Sequence, residues 1–227
     1  MPDPDLQLAM ETARRAAEAG AAASMPYFRT GVARQEKADG SFVTEADLAA
    51  EKAILEVITG AFPKHSVFTE ESGSHPGDPD HRWIVDPLDG THRFARGLSF
   101  WGPLIALESR GEIIAGSLAM PVVGDVYWAA RGLGCFRNGE RCRVSQSTDW
   151  KRANLSMGAL SRILALPCRE GALSLMETCE YTVAGGDLNG CALVISGRAE
   201  AWIEAGVQTW DIAPMKILIE EAGGKFT

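Results

Sequence analysis

The stretch Arg82–Thr91, RWIVDPLDGT, constrains the fold of this chain more than any other. Trp83, Ile84 and Val85 form the short apolar run of a buried strand. Asp86 followed by Pro87 predicts that the strand stops there, because proline can continue neither a ladder nor a helix. Asp86 and Asp89 flank the expected turn, so both carboxylates should point into one small volume at a strand end. Two anions held that close repel each other and raise a pKa unless a cation sits between them, and hard oxygen ligands suit Mg2+, Mn2+ or Ca2+. Gly90 lets the backbone approach a ligand closely, and Thr91 sets a hydroxyl beside two successive N–H groups, a combination that suits phosphate. Taken alone, the same residues also read as an Asp-Pro turn whose second acid caps a helix starting near His92.

Composition narrows the classes. At 227 residues and 46% hydrophobic, the chain can bury one large core or two small ones. A formal charge of -8 argues against a nucleic-acid surface. No apolar run reaches the roughly eighteen residues of a membrane helix, and the acidic start MPDPDLQLAMETARR lacks a signal-peptide core. The 5 cysteines, odd in number and without a C-x-x-C pair, suggest neither a disulfide framework nor a zinc knuckle, and point to a reducing cytoplasm. The 4 histidines include no H-x-x-x-H pair, which weakens a zinc reading further.

Residues 5–24 are Ala-rich, with Leu6, Met10, Ala13 and Ala17 on one helical face, and predict a first helix ending before Pro26. A loop is expected at Lys37-Ala38-Asp39-Gly40-Ser41. In TEADLAAEKAILEVITGAF, Thr44 is placed to cap a second helix with Asp47 as the acid of a capping box, and Leu48, Leu55, Ile58 and Phe62 mark its apolar face. Ser66–Thr69 reads as a short strand ending at Glu70 and Glu71, and residues 73–81, GSHPGDPDH, as a polar loop. Asp78-Pro79-Asp80 matches the D-x-D of aspartyl-phosphate phosphatases only superficially, since no apolar strand precedes it. PLIALES, EIIAGSLAM and GDVYWAA read as consecutive antiparallel strands. Cys135 to Arg141 has the C-x5-R spacing of cysteine phosphatases, but Asn138-Gly139 between alternating residues is a type I′ hairpin signal, and the hairpin is the better reading.

Gln146–Arg152 is polar and predicts a link between an N-terminal α+β domain, residues 1–146, and a C-terminal α/β domain, residues 147–227. In the latter, NLSMG, YTVAGG and Arg198–Glu204 read as strands, and GALSLMETC and Asn189–Ser196 as helices. Trp210-Asp211-Ile212-Ala213-Pro214 opens a last helix ended by Gly223-Gly224, where Asp211 is stabilised by the helix dipole whether or not it does chemistry. Glu71, Asp86, Asp89 and Asp211 thus all stand at element ends, where ligands collect.

TEES, WIVDPLDGT and WDIAP, in this order and with VTEAD upstream, resemble the inositol monophosphatase family across essentially the whole chain. The resemblance implies a layered αβαβα sandwich, usually a homodimer, that hydrolyses a small phosphate monoester with about two to three Mg2+ ions, Mn2+ being a substitute. It further implies that Glu71, Asp86, the Leu88 carbonyl, Asp89 and Asp211 bind the metals, with Lys37 nearby. Glu71, and Thr91 supported by Asp47, would position and deprotonate the attacking water, while the Gly90 and Thr91 N–H groups hold the phosphate. Glu204 falls where the family meets the substrate's polar part. Asp187, in GGD, aligns with a substrate-facing position that is small in typical inositol phosphatases.

Two carboxylates facing the leaving group suit a cationic substrate such as histidinol phosphate. GLSFWGPLIAL also resembles the histidinol-phosphate phosphatase branch more than the inositol one. Against this, Asp187 can be explained as the cap of the helix beginning near Leu188. An inositol or other sugar-alcohol phosphate is the next expectation, and a metal-binding regulatory protein without turnover a more distant one. Family members run on past the AGG turn for a further strand, helix and strand, so the resemblance also implies a truncated C-terminal domain.

Overall fold

A period of two along Trp83–Asp86 organises the molecule, because successive strand side chains point to opposite faces. In the computed structural model, which describes residues 4–37, 40 and 42–227, Trp83 and Val85 face one helical layer while Ile84 faces another. Of the loop expected at 37–41, Ala38, Asp39 and Ser41 lie outside the described residues.

The chain opens with α1 (Leu6–Ser24), whose N-terminus is capped by Asp5 accepting from the Gln7 and Leu8 N–H groups at 2.8 and 3.0 Å. Its buried stripe of alanines, Ala9, Ala13, Ala16 and Ala17, lets it lie close against the neighbouring helix and sheet. Strands β1 (Gln35–Glu36) and β2 (Phe42–Val43) form a small antiparallel pair, and α2 (Glu45–Ala61) follows. Thr44 and Asp47 close the expected capping box on α2. Leu48, expected on the apolar face, is 55% exposed; the buried residues are Ala46, Ala50, Ile54 and Ile58 together with the acids Asp47 and Glu51. Asp47 has to point inward to reach Thr44, which turns the next residue, about 100° further round the helix, to solvent.

Next come β3 (His65–Thr69), β4 (Gly73–His75) and β5 (Asp78–Asp89), then the single turn α3 (Thr91–Ala95) and strands β6 (Gly102–Ser109), β7 (Glu112–Met120), β8 (Asp125–Ala130), β9 (Gly134–Arg137) and β10 (Glu140–Arg141). They make an eight-stranded sheet in the order β10-β9-β8-β7-β6-β5-β3-β4, antiparallel throughout except for the β3–β5 pair. Residues 73–81 are therefore not a loop. Gly73–His75 pairs back on β3, and Asp78 already belongs to β5, its N–H donating to Lys64 O at 2.7 Å. Asn138 and Gly139 both take positive φ, 49° and 93°, as a type I′ hairpin requires.

Nor does β5 stop at Asp86. Pairing with β6 runs through Asp86↔Leu104 and resumes at Asp89↔Gly102, so Pro87 and Leu88 oppose Pro103 alone in a β-bulge. The bulge is what admits a proline, which has no N–H to give a ladder, into an interior strand.

The remainder comprises β11 (Asn154–Met157), α4 (Leu160–Ala165), α5 (Arg169–Thr178), β12 (Tyr181–Ala184), α6 (Leu188–Ile195), β13 (Ala201–Ile203) and α7 (Thr209–Glu221). The strands form a parallel three-stranded sheet in the order β12-β11-β13. The strand expected over Arg198–Glu204 is confined to Ala201–Ile203, and α4 has no clear apolar period by which to foresee it. From one side to the other the layers are α1 with α2, the large sheet, α6 with α7, the small sheet, and α4 with α5, an αβαβα sandwich. Although α7 lies far along the chain, it packs on the large sheet. Among the described residues, no helix is long and apolar enough to cross a membrane.

Candidate active site

Asp86 shares the face of Ile84, the face that α7 covers, and α7 begins beside Asp211. The alternation therefore aims Asp86 at the N-terminus of the last helix. One carboxylate oxygen from each of Asp86, Asp89 and Asp211 lies within 4.8 Å of the others. Asp211 also closes a capping box on α7, its Oδ2 accepting from the Gln208 N–H at 2.6 Å. Asp86 Oδ1 accepts from the Leu88 N–H at 2.8 Å across the bulge, so the backbone itself holds that carboxylate in place.

Asp86 is buried, and Asp89 and Asp211 are only partly open to water. Burial, then the charges of Glu70, Asp89 and Asp211, pushes the Asp86 carboxyl well above the usual range. Burial, then Asp187 and Asp211, does the same to Asp89. Asp211 is pushed up to about 6 by burial, with Glu70, Asp187 and Glu204 adding to the effect. A cluster of hard oxygens whose ionised forms repel one another fits a divalent hard cation such as Mg2+ or Mn2+.

Glu70, rather than Glu71, is the glutamate whose charge acts on Asp86 and Asp211. Adjacent residues beyond a strand end project differently, and in TEES no local feature distinguishes the two. Glu71 is 4% exposed and faces Lys37, whose Nζ donates to both Glu71 oxygens at 2.9 and 3.0 Å and to Glu70 Oε1 at 2.9 Å. Burial raises the Glu71 carboxyl to about 7 in spite of Lys37. For Lys37, burial opposes the ammonium, but the two glutamates outweigh it and hold its pKa above the usual value.

Asp47 serves two elements. Its Oδ2 accepts from the Thr44 N–H and hydroxyl at 2.8 and 2.6 Å, and its Oδ1 accepts from the Thr91 hydroxyl at 3.0 Å. Burial raises its pKa against these hydrogen bonds. The Thr91 hydroxyl lies 3.2 Å from Leu88 O as well, and its single proton can satisfy only one acceptor fully. Gly90 is the N-cap of α3 at φ 84°, and a Cβ there would stand 3.3 Å from Phe100 O. Asp89 does not cap α3. Its Oδ2 accepts instead from the N–H of Leu188, 99 residues away, at the start of α6.

Asp187 occupies the N-cap position of α6 but makes no side-chain capping bond, so the capping explanation of this residue is overturned. Its Oδ2 pairs with Arg93 Nη1 at 2.8 Å. Its N–H donates to Glu204 Oε2 at 2.8 Å, which also receives Trp202 Nε1 at 3.3 Å. The Glu204 carboxylate lies in a cradle of backbone: a Cβ on Gly158 or Gly186 would fall 1.7 or 2.0 Å from its Oε2. Burial raises Glu204 as well. Sequence reasoning missed Glu70 and Arg93; the only signal for Arg93 was its place in α3, directly after the metal loop.

A sequence profile of the inositol monophosphatase family matches residues 3–227. A histidinol-phosphatase of Chlorobaculum parvum is 36% identical over 97% of this chain and 84% of its own length. The Nus factor SuhB of Pasteurella multocida is 33% identical over 98% of this chain and 84% of its length. The solved structure of an inositol monophosphatase from Anabaena superposes with a TM-score of 0.84 at 30% identity, covering 98% of this chain and 84% of that one. With this fold and this cluster of acids at the ends of its strands and helices, the chain belongs to the inositol monophosphatase family of phosphomonoesterases.

Proposed function

We propose that the enzyme hydrolyses histidinol phosphate with Mg2+, Mn2+ being able to substitute. The observation that carries the substrate reading is Glu204, a carboxylate fixed in a backbone cradle within electrostatic reach of Asp211 and Asp187, where a substrate ammonium would find a charge-assisted partner. The similarity to a histidinol-phosphatase at 36% identity supports it. A homodimer, and division of the chain into domains near residue 146, belong to the same reading.

Asp86, Asp89, Asp211 and the Leu88 carbonyl would hold the metal. Glu70 takes the glutamate place among them, since its charge is the one felt by Asp86 and Asp211. When bound, the metal supplies Lewis-acid stabilisation of the charge that develops on the phosphoryl group and lowers the pKa of the attacking water. Thr91 Oγ1 accepts a proton from that water as its own proton passes to Asp47 Oδ1, at 3.0 Å. Asp47, its pKa already raised by burial, is suited to keep it. Glu71, raised to about 7, orients the same water from the Lys37 side. The N–H groups of Gly90 and Thr91 would hold phosphate oxygens.

Thr91→Val keeps the shape and removes the proton path, so kcat should fall by about a hundredfold, whereas Thr91→Ser stays within roughly tenfold of the native enzyme. Steady-state phosphate release measures both, and equal losses would remove the hydroxyl from the reaction.

For the substrate, kcat/KM on L-histidinol phosphate should exceed that on inositol-1-phosphate by about tenfold or more, as expected when one substrate gains a charge-assisted bond. Equal values would end the preference. A second reading, inositol-1-phosphate, is favoured by one observation: Arg93 already neutralises Asp187, leaving Glu204 as the one unpaired acid of the two.

A further inference from the structure

The metal loop and the substrate side of the site belong to different sheets, and besides the Asp89 bond to the Leu188 N–H a second side chain joins them. Arg93, on α3 directly after the loop, sends Nη1 across to Asp187 Oδ2 at 2.8 Å and to Gly186 O at 3.2 Å. Asp187 in turn donates its N–H to Glu204 Oε2 at 2.8 Å. Its backbone lies at φ 56°, ψ -148°, a conformation that an L residue rarely adopts, so the turn needs ties from outside itself. Arg93 supplies two of them and Glu204 a third. The pair is only partly open to water, Arg93 being 25% and Asp187 37% exposed, so its charges are incompletely screened.

Resting on the phosphatase reading above, we propose that Arg93 is a positioning residue that determines specificity. By pairing with Asp187 and holding Gly186, it sets the net charge presented to the substrate's alcohol at one negative charge, on Glu204, instead of two. Asp187 and Glu204 lie close enough for Asp187 to raise Glu204, and Asp187 also acts on Asp89 and Asp211, so its charge is felt throughout the site when unpaired. An enzyme with this pair intact can admit a neutral polyol as well as an amine. Without Arg93 it would favour the cation. A lysine can restore the charge but not the planar fork of a guanidinium, so Arg93→Lys separates charge from geometry.

The test uses the whole 227-residue chain loaded with Mg2+ and the variants Arg93→Ala, Arg93→Lys and Arg93→Ala with Asp187→Asn. Values of kcat and KM are measured on L-histidinol phosphate and inositol-1-phosphate, and binding of the free alcohols L-histidinol and myo-inositol is measured by calorimetry. Arg93→Ala should shift the KM ratio about tenfold toward the amine-bearing ester, with kcat changing alike for both. Arg93→Lys should keep the ratio within about threefold of native, and adding Asp187→Asn should restore it. An unchanged ratio, or a shift that Asp187→Asn leaves in place, overturns the proposal. If the native enzyme hydrolyses neither ester, the substrate reading fails by itself. The calorimetric ratio for the two alcohols then still decides the role of Arg93, with no shift counting against it.

Discussion

Asp86→Asn should abolish phosphate release, lowering kcat by about a thousandfold or more, while raising the thermal midpoint of the metal-free protein. Asp86 is 2% exposed and has Glu70, Asp89 and Asp211 acting on it. Asparagine keeps an oxygen for the Leu88 N–H and removes a charge. At an effective dielectric near 20, two unit charges about 5 Å apart cost about 3 kcal/mol. Partial protonation relieves much of that, leaving a gain of about 1–2 kcal/mol, or roughly 2–8 °C for a chain of this size.

The sign of the pH dependence follows from Asp211. Its carboxyl is raised to about 6 in the folded protein, so its contribution to stability is present at low pH and lost as the pH rises through about 6. The gain from Asp86→Asn should therefore be full near pH 8 and shrink as the pH falls below 6, where Asp211 is protonated. Melting in EDTA across this range, beside p-nitrophenyl phosphate turnover with Mg2+, checks both halves. A variant that melts lower than the native protein at pH 8, or that still turns over, would dissolve the link between this cluster and catalysis.

Gly186→Ala should damage both stability and substrate binding, because this glycine packs against the candidate site. Its Cβ would stand 2.0 Å from Glu204 Oε2 and 2.2 Å from the Cα of Gly158. The first clash can be relieved by moving a side chain, but the second is with backbone. Overpacking of this kind costs about 1–3 kcal/mol or more. With Glu204 pushed from its bond to the Asp187 N–H, KM should rise by about tenfold or more. Gly158→Ala differs, because the three atoms nearest its Cβ, at 1.7, 2.3 and 2.4 Å, all belong to the Glu204 side chain. In a Glu204→Ala background Gly158→Ala should become nearly neutral, whereas Gly186→Ala should remain destabilising. Thermal melts of the four variants separate these outcomes, and equal tolerance of both alanines in that background would refute the backbone clash.

Much of the fold was legible because its signals are local. The capping box of Thr44 and Asp47, the Asn138-Gly139 turn and the alternation of β6, β7 and β8 each depend on neighbours in the sequence, and each is present. The end of β5 was misread for the same reason. Pro87 does forbid a regular ladder, but the partner strand absorbs it in a bulge opposite Pro103, and no local rule reports what a partner will absorb. Leu48 faces solvent because its neighbour Asp47 turns inward to Thr44 and Thr91, a long-range tie that helical periodicity does not report.

The sequence alone determined where the acids stand along the chain: Asp86 and Asp89 flank the Pro87-Leu88 break of a strand, Asp211 lies in the first turn of a helix, and the structure brings their carboxylates within 4.8 Å of one another. Only the tertiary structure decided which way each side chain looks. It set Lys37 between Glu70 and Glu71 while the charge of Glu70 reaches Asp86, gave Asp89 to the start of α6, and tied Asp187 to Arg93. The physical reason is common to all of these: a side chain's partner is chosen by packing between layers far apart in the chain, and backbone periodicity carries no record of what the opposite layer presents.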